Sequence, residues 1–229
     1  MIPAHNTAEY VAAIEPTGDL ALGLADMAIL DALTPDVLAS ACPTIGRAAL
    51  VFADCNLPAA MLADLIARRR ADRLPWLAID AVSAPKVMRL PTDLIGLDLL
   101  FLNEDETAAL LGGQRPPVVA AAALQAHGAK AVVLTCGLSG VIVADAGGAF
   151  ALPALPVTTV ANVTGAGDAL VTADLHRLAG GDALLPAAKA GLVAAALALE
   201  RQGGVRPDLS PVLLESAMHW APSLPQDTR

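Results

Sequence analysis

Aromatic side chains are nearly missing: Phe, Trp and Tyr together make up 3% of the 229 residues, while 55% are apolar. The interior must therefore be Ala, Leu and Val, a composition suited to helices packed on a parallel sheet. Basic residues are also scarce. Lys and Arg number 14 against 23 Asp and Glu, a net charge of −9. That balance opposes binding to a nucleic-acid backbone, which needs clustered cations. The one basic run, Arg68-Arg69-Arg70, ends a helix-like segment and complements its C-terminus. Cysteine is limited to Cys42, Cys55 and Cys136, with no C-x-x-C and no metal spacing. These read as reduced thiols of a cytosolic protein, with Cys55 and Cys136 packing at or near the ends of apolar strands.

No stretch reaches the roughly 18 unbroken apolar residues that a spanning helix requires. Ala190 to Leu199 follows Lys189 and is too short. The opening Met-Ile-Pro-Ala-His-Asn shows neither a basic n-region nor an apolar h-region. The expectation is a cytoplasmic chain with no membrane partner. His5, His127, His176 and His219 have no ligand spacing. Ser83 and Ser139 have no sequence-adjacent base, so nothing points to a Ser-His-Asp hydrolase.

The length suits one α/β domain over residues 1–229 with a sizeable core. Two short strands open it, Glu9 to Ile14 and Leu20 to Ala25, about a Pro16-Thr17-Gly18-Asp19 turn. Thr34 reads as an N-cap with Pro35 at the first helical position. Strands follow at 48–53, 76–80, 99–102 and 131–135, with a hairpin of 140–144 and 149–152. Helical patterns occupy 58–70, 104–111, 117–127, 165–178, 182–201 and 211–217. This alternation implies a mostly parallel sheet covered on both faces. The tail after Trp220 reads as frayed.

The most informative stretch is Asn162-Val163-Thr164-Gly165-Ala166-Gly167-Asp168. It follows a Pro-rich loop and opens an apolar helix. A Gly-Ala-Gly turn entering a helix leaves backbone N–H groups unpaired at the positive end of the helix dipole. That is a site for a phosphate or a developing phosphoryl charge. Asp168 sits at the same turn, where a carboxylate can take a proton from a hydroxyl. An anion hole beside a base is what phosphoryl transfer to an alcohol needs. A purely structural Gly-x-Gly turn, with Asp favoured there by the dipole, fits the same residues.

Two further segments follow strands. Asn103-Glu104-Asp105-Glu106 has the spacing of a capping box. Thr135-Cys136-Gly137-Leu138-Ser139-Gly140 has the glycines of a tight turn. An open α/β sheet binds ligands at the carboxyl ends of its strands, so Asn103, Thr135 and the Gly165–Asp168 turn can converge on one edge.

The heptad resembles the C-terminal signature of the PfkB (ribokinase-like) carbohydrate kinases, written D-T-x-G-A-G-D. Gly165, Ala166, Gly167 and Asp168 match its core, while Asn162 and Val163 depart from its first two positions. The run Asn-Val-Thr-Gly-Ala-Gly-Asp-Ala-Leu is similar to the pseudouridine kinase branch. The resemblance implies a ribokinase-like three-layer α/β sandwich, with residues 8–26 as a lid hairpin and 34–218 as its core. It implies Asp168 as catalytic base and Gly165, Ala166 and Gly167 as anion hole. It implies ATP held by Asn103, Glu106, Thr135, Gly137, Gly140 and Thr164, and Mg²⁺ organised by Asn103 and Glu106, with Glu106 reaching the metal through water. A monovalent cation is compatible with it. Asp80-Ala81-Val82-Ser83-Ala84-Pro85-Lys86 is similar to a segment of the same branch. There Lys86 either faces the transferred phosphate or is a solvated surface lysine.

The resemblance covers nearly all of this chain. It lacks the family's opening stretch, with its sugar-binding Asp and Gly-Gly-x-x-x-Asn segment, so the chain reads as N-terminally truncated. The implied activity is phosphotransfer from ATP to a primary hydroxyl of a small sugar or nucleoside, foremost pseudouridine to pseudouridine 5′-phosphate. The alternatives are a non-catalytic nucleotide-binding remnant, or a ribokinase or other nucleoside kinase. The hairpin is open to pairing between two copies.

Overall fold

The computed structural model describes residues 6–15 and 20–220. The expected turn at Pro16–Asp19, His5 and the tail after Trp220 lie outside them. Strands β1 (Glu9–Ile14) and β2 (Leu20–Asp26) pair as a two-stranded sheet. The chain divides into two compact units. The first is built mainly on Ala25–Cys136, with the hairpin tip Ala144–Ala149; the second is built on Val11–Leu24, Gly137–Val143 and residues 150–220.

In the first unit, α1 (Ala28–Asp31) and α2 (Pro35–Ile45) precede β3 (Leu50–Asp54), α3 (Ala59–Arg70) and β4 (Trp76–Asp80). Then come α4 (Ala84–Val87), β5 (Leu99–Asn103), α5 (Glu104–Leu111), α6 (Pro117–Ala126) and β6 (Ala131–Thr135). Thr34 has the extended backbone of an N-cap, but its hydroxyl makes no capping bond; Pro35 alone sets the helix start. The four strands β3 to β6 pair in parallel, in chain order. Register pairs Asp54 with Asp80 and Asn103 with Thr135, which lines up the carboxyl ends of neighbouring strands. Leu77, Ile79, Leu99, Leu100, Val132 and Val133 are fully buried. That is the behaviour of parallel strands covered on both faces, and it explains their unbroken apolar runs. From α3, Met61, Leu62, Leu65 and Ile66 are buried, and from α6, Ala120, Ala121 and Leu124.

Strands β7 (Val141–Asp145) and β8 (Gly148–Leu152) form the expected hairpin, its tip closed by Gly147 N–H donating to Asp145 Oδ1 at 2.7 Å. In the second unit α7 (Ala166–Ala179) and α8 (Leu184–Leu199) pack closely, with α9 (Pro211–Trp220) against α8. Their shared core is Ala169, Ala173, Ala190, Val193, Ala194, Ala198 and Leu214. Small side chains let helix axes approach, and Gly191 of α8 lies directly against α7. A Cβ there would stand 3.0 Å from the Leu170 carbonyl and 3.4 Å from Asp174 Oδ2. The shortage of aromatics is thus met by alanine-rich helix pairs.

The basic run does more than meet the dipole. Arg68, Arg69 and Arg70 fill the last turn of α3 as expected. Arg68 pairs with Asp64, Arg70 with Asp93, and Arg69 with both Asp72 and the buried Asp98.

Candidate functional site

Two requirements coincide at the turn before α7. Gly165 is the N-cap and has φ +85°, a left-handed conformation that costs other residues free energy. A Cβ at Gly165 would also fall 1.9 Å from the carbonyl oxygen of Gly204, a hard clash with backbone. Nothing but glycine fits. Upstream, the nearly buried Asn162 accepts the Thr164 N–H at 2.8 Å and fixes the loop entering the turn. Asn162 therefore has a structural task that its place in the heptad did not reveal. The Gly203-Gly204 pair that backs the turn was missed from sequence; its signal was a double glycine just beyond α8.

Helix geometry decides which amides are open. The first bond that closes is Ala169 N–H to the Gly165 carbonyl, at 2.9 Å. The amides of Gly167 and Asp168 precede it and are the open donors of a helix start. Ala166 N–H lies 3.5 Å from the Val163 carbonyl, so it is the least open of the expected trio. Asp168, in the first turn of α7, is exposed, and its own carbonyl accepts the Thr172 hydroxyl at 2.7 Å. A carboxylate and unpaired amides therefore share one helix end.

In the first unit the capping box at the end of β5 is fully formed. Asn103 Oδ1 accepts Glu106 N–H at 2.9 Å, and Glu106 Oε2 accepts Asn103 N–H at 2.7 Å. Thr107 adds its hydroxyl to the Asn103 carbonyl. Glu106 is only 6% exposed, and burial raises its carboxyl pKa against the opposing Asn103 bond. One oxygen of Glu106 is thus committed to the cap. Thr135 is the register partner of Asn103, so the sheet brings those two expected residues together. Gly137 and Gly140 bound a short 3₁₀ turn, Gly137–Ser139, with φ +52° and +94°. A Cβ on Gly140 would meet the Leu152 carbonyl at 2.0 Å, so this glycine is needed for packing whatever its ligand role. Leu138 at the tip is 96% exposed.

Lys86, in α4 after β4, donates to Asn56 Oδ1. Asn56 follows β3 and was not singled out from sequence. Its signal was the Asp54-Cys55-Asn56 spacing, in which an Asp caps the amide two residues on. That bond is present at 3.0 Å. Among the described residues no group of three or more His, Cys, Asp or Glu could hold a metal ion. Cys55 and Cys136 are buried as expected. The Cys55 thiol is pushed up to about 12 by burial, then by Asp80, Asp54 and Glu106, which outweigh Arg89. It is inert as a nucleophile.

The model of the pfkB family of carbohydrate kinases matches residues 3–210. The chain belongs to that family. A curated member, pseudouridine kinase of Escherichia coli (strain K12), is 33% identical over 175 residues, which is 75% of this chain. The chain spans 55% of that relative's length. Among solved structures, a carbohydrate kinase from Agrobacterium tumefaciens superposes with a TM-score of 0.81 at 30% identity, covering 96% of this chain and 70% of that one. The Arabidopsis thaliana ribokinase complexed with ribose and ATP superposes at 0.75 with 18% identity, covering 93% and 69%. The ribokinase-like α/β fold is therefore established. Among the described residues no helix is long and apolar enough to cross a membrane.

Proposed function

We propose that this chain carries the nucleotide and catalytic parts of an ATP-dependent kinase that phosphorylates a primary hydroxyl of a sugar or nucleoside, with pseudouridine as first acceptor and pseudouridine 5′-phosphate as product. The observation that supports it most is the Gly165–Asp168 turn, where an exposed carboxylate and open amides share the start of α7. Family membership and the 33% identical pseudouridine kinase favour the same reading.

Asp168 takes the proton of the acceptor hydroxyl as that oxygen attacks the γ-phosphorus. A new O–P bond forms, the bond to the β-phosphate oxygen breaks, and ADP leaves. The open amides of the turn, with the helix dipole behind them, stabilise charge on the phosphoryl group in transfer. Removing one such donor costs about 10²–10³ in kcat in other enzymes. Thr135, Gly137, Gly140 and Thr164 hold the nucleotide in this reading, through backbone approach at the two turns.

Mg²⁺ fits only in a hydrated form. The lack of a three-ligand cluster among the described residues argues against an all-protein cage. A hard cation that keeps several waters on the ATP phosphates requires one nearby carboxylate. Glu106 has one oxygen beyond its cap bond for such a water, and Asn103 holds it in place. When bound, the ion neutralises charge on the triphosphate.

The test is ADP release by the purified chain with Mg-ATP and pseudouridine, uridine or ribose. Turnover is expected with pseudouridine, and Asp168→Ala should lose about 10²–10⁴-fold while ATP binding is retained. ATP binding with no turnover on any acceptor would support the non-catalytic nucleotide-binding reading instead.

A further inference from the structure

Resting on the kinase reading, we propose that Asn56 is a positioning residue that aims Lys86, which makes no ion pair with a carboxylate among the described residues, at an anionic oxygen of the nucleotide or phosphorylated product. The argument begins at the ends of β3 and β4. Asp54 holds Asn56 twice, accepting its N–H at 3.0 Å through Oδ1 and its side-chain Nδ2 at 2.8 Å through Oδ2. The second bond fixes the amide's direction, because Nδ2 faces Asp54 and Oδ1 must then face away. Oδ1 receives the Lys86 ammonium. Arg89 ties the same loop down from the other side, donating to the carbonyls of Cys55, Asn56 and Leu57, the shortest at 2.6 Å.

The chemistry of this chain is selective. A carboxylate in place of the Asn56 amide would neutralise the lysine by a direct ion pair. The interposed amide keeps orientation and spends no charge. Lys86 has no carboxylate within ion-pairing distance among the described residues, whereas Lys130 is paired with Asp98. An ammonium donates three hydrogen bonds, so two remain for a ligand. A second observation points the same way. Val82, between Asp80 and Lys86, has φ +67°, an outlier for a β-branched side chain. It is held there by Asp80 Oδ1, which accepts its N–H at 2.9 Å, and by Ser83 N–H bonding the Ala81 carbonyl. Backbone strain of this kind persists where surrounding structure over-determines it, and it clusters at ligand sites. It lies at the carboxyl edge of parallel strands, where open α/β sheets bind ligands.

The experiment has a catalytic arm and a binding arm. Asn56→Ala and Lys86→Met are each expected to lower kcat about tenfold or more, with KM for the acceptor changed far less. In the Lys86→Met background, Asn56→Ala should cost less than about twofold more, since both act through one group. Asn56→Asp should also fall, by neutralising the lysine. Additive losses, or an Asn56→Ala enzyme within about twofold of wild type while wild type turns over, would overturn the positioning role and leave the kinase reading standing. The binding arm needs no turnover. The chain is reductively ¹³C-methylated, and the Lys86 signal, assigned by its loss in Lys86→Met, is followed during titration with inorganic tripolyphosphate. A saturable shift is expected in wild type and a weakened one in Asn56→Ala. An unmoved Lys86 signal would overturn the proposal even if the enzyme is a kinase.

Discussion

Among the described residues two aspartates are buried, one in each unit, and they are treated in opposite ways. Asp98, at the amino end of β5, is 3% exposed and surrounded by donors. Arg69 bonds both its oxygens, Lys130 reaches Oδ1 at 2.7 Å, and Leu77 N–H reaches Oδ2 at 2.9 Å. Asp174, in α7 against Gly191 of α8, is 0% exposed, and neither of its oxygens has a hydrogen-bond partner. Burial pushes both carboxyls up. At Asp98 the bonds from Arg69, Lys130 and Leu77 outweigh it and hold the carboxyl below its ordinary value. At Asp174 nothing opposes it, and the group is raised well above its ordinary value. The lesson is that burial alone does not say what a carboxylate does. At Asp98 it ties α3, β4 and the residue that leads into β6 to one anion. At Asp174 it leaves a carboxyl without a partner at the seam of α7 and α8.

The largest expected effect comes from removing the compensated group. Asp98→Ala leaves Arg69 with only Asp72 and the Leu77 amide without its acceptor, and should cost about 3–5 kcal/mol. Urea denaturation would read this as a lower midpoint at unchanged slope. Asp174→Ala should go the other way, gaining about 1–3 kcal/mol, because it deletes a buried polar group that has no partner. A destabilised Asp174→Ala would break the comparison and show that the carboxyl is satisfied in solution.

The two groups also predict opposite pH limbs. Asp98, depressed below 3.8, contributes stability that is present above that pH and lost as pH falls through its folded value. Asp174, raised above 3.8, contributes stability that is complete below that pH and lost as pH rises through its folded value. Melting temperatures across pH should therefore show Asp98→Asn flattening the acid limb below about pH 4, and Asp174→Asn flattening the decline above it. The smallest effect is at the carboxyl edge. Val82→Gly should gain up to about 1 kcal/mol by relieving the positive φ, less the entropy that glycine costs. Its activity should fall if the strain helps to hold Lys86, so stability rising while kcat drops would sharpen the contrast between a structural and a functional end of the same sheet.

Much of this was legible in the chain, and the reasons differ by residue. Strands β4 and β6 and helix α5 were expected at their observed bounds, because apolar runs and capping spacing are local signals. The box Asn103–Glu106 was read from four adjacent residues and is formed by them. Gly165 was singled out for the turn it makes. Asn56 with Lys86, Arg69 with Asp98 and Gly165 with Gly204 were not legible, since each pair is some 29 to 39 residues apart in the chain. The same applies to the burial of Asp174, which on α7's pattern is one more polar residue between apolar ones.

What the sequence determined by itself was the class of fold, the family, and the candidate phosphoryl-transfer turn, because periodicity, caps and glycine turns are set by neighbours along the chain. What only the tertiary structure decided was which charges are spent and which are kept. Asp98 is compensated, Asp174 is orphaned, and Lys86 is aimed by an amide. Those outcomes depend on which strands lie side by side, and on how water is excluded between helices, which no local stretch of residues encodes.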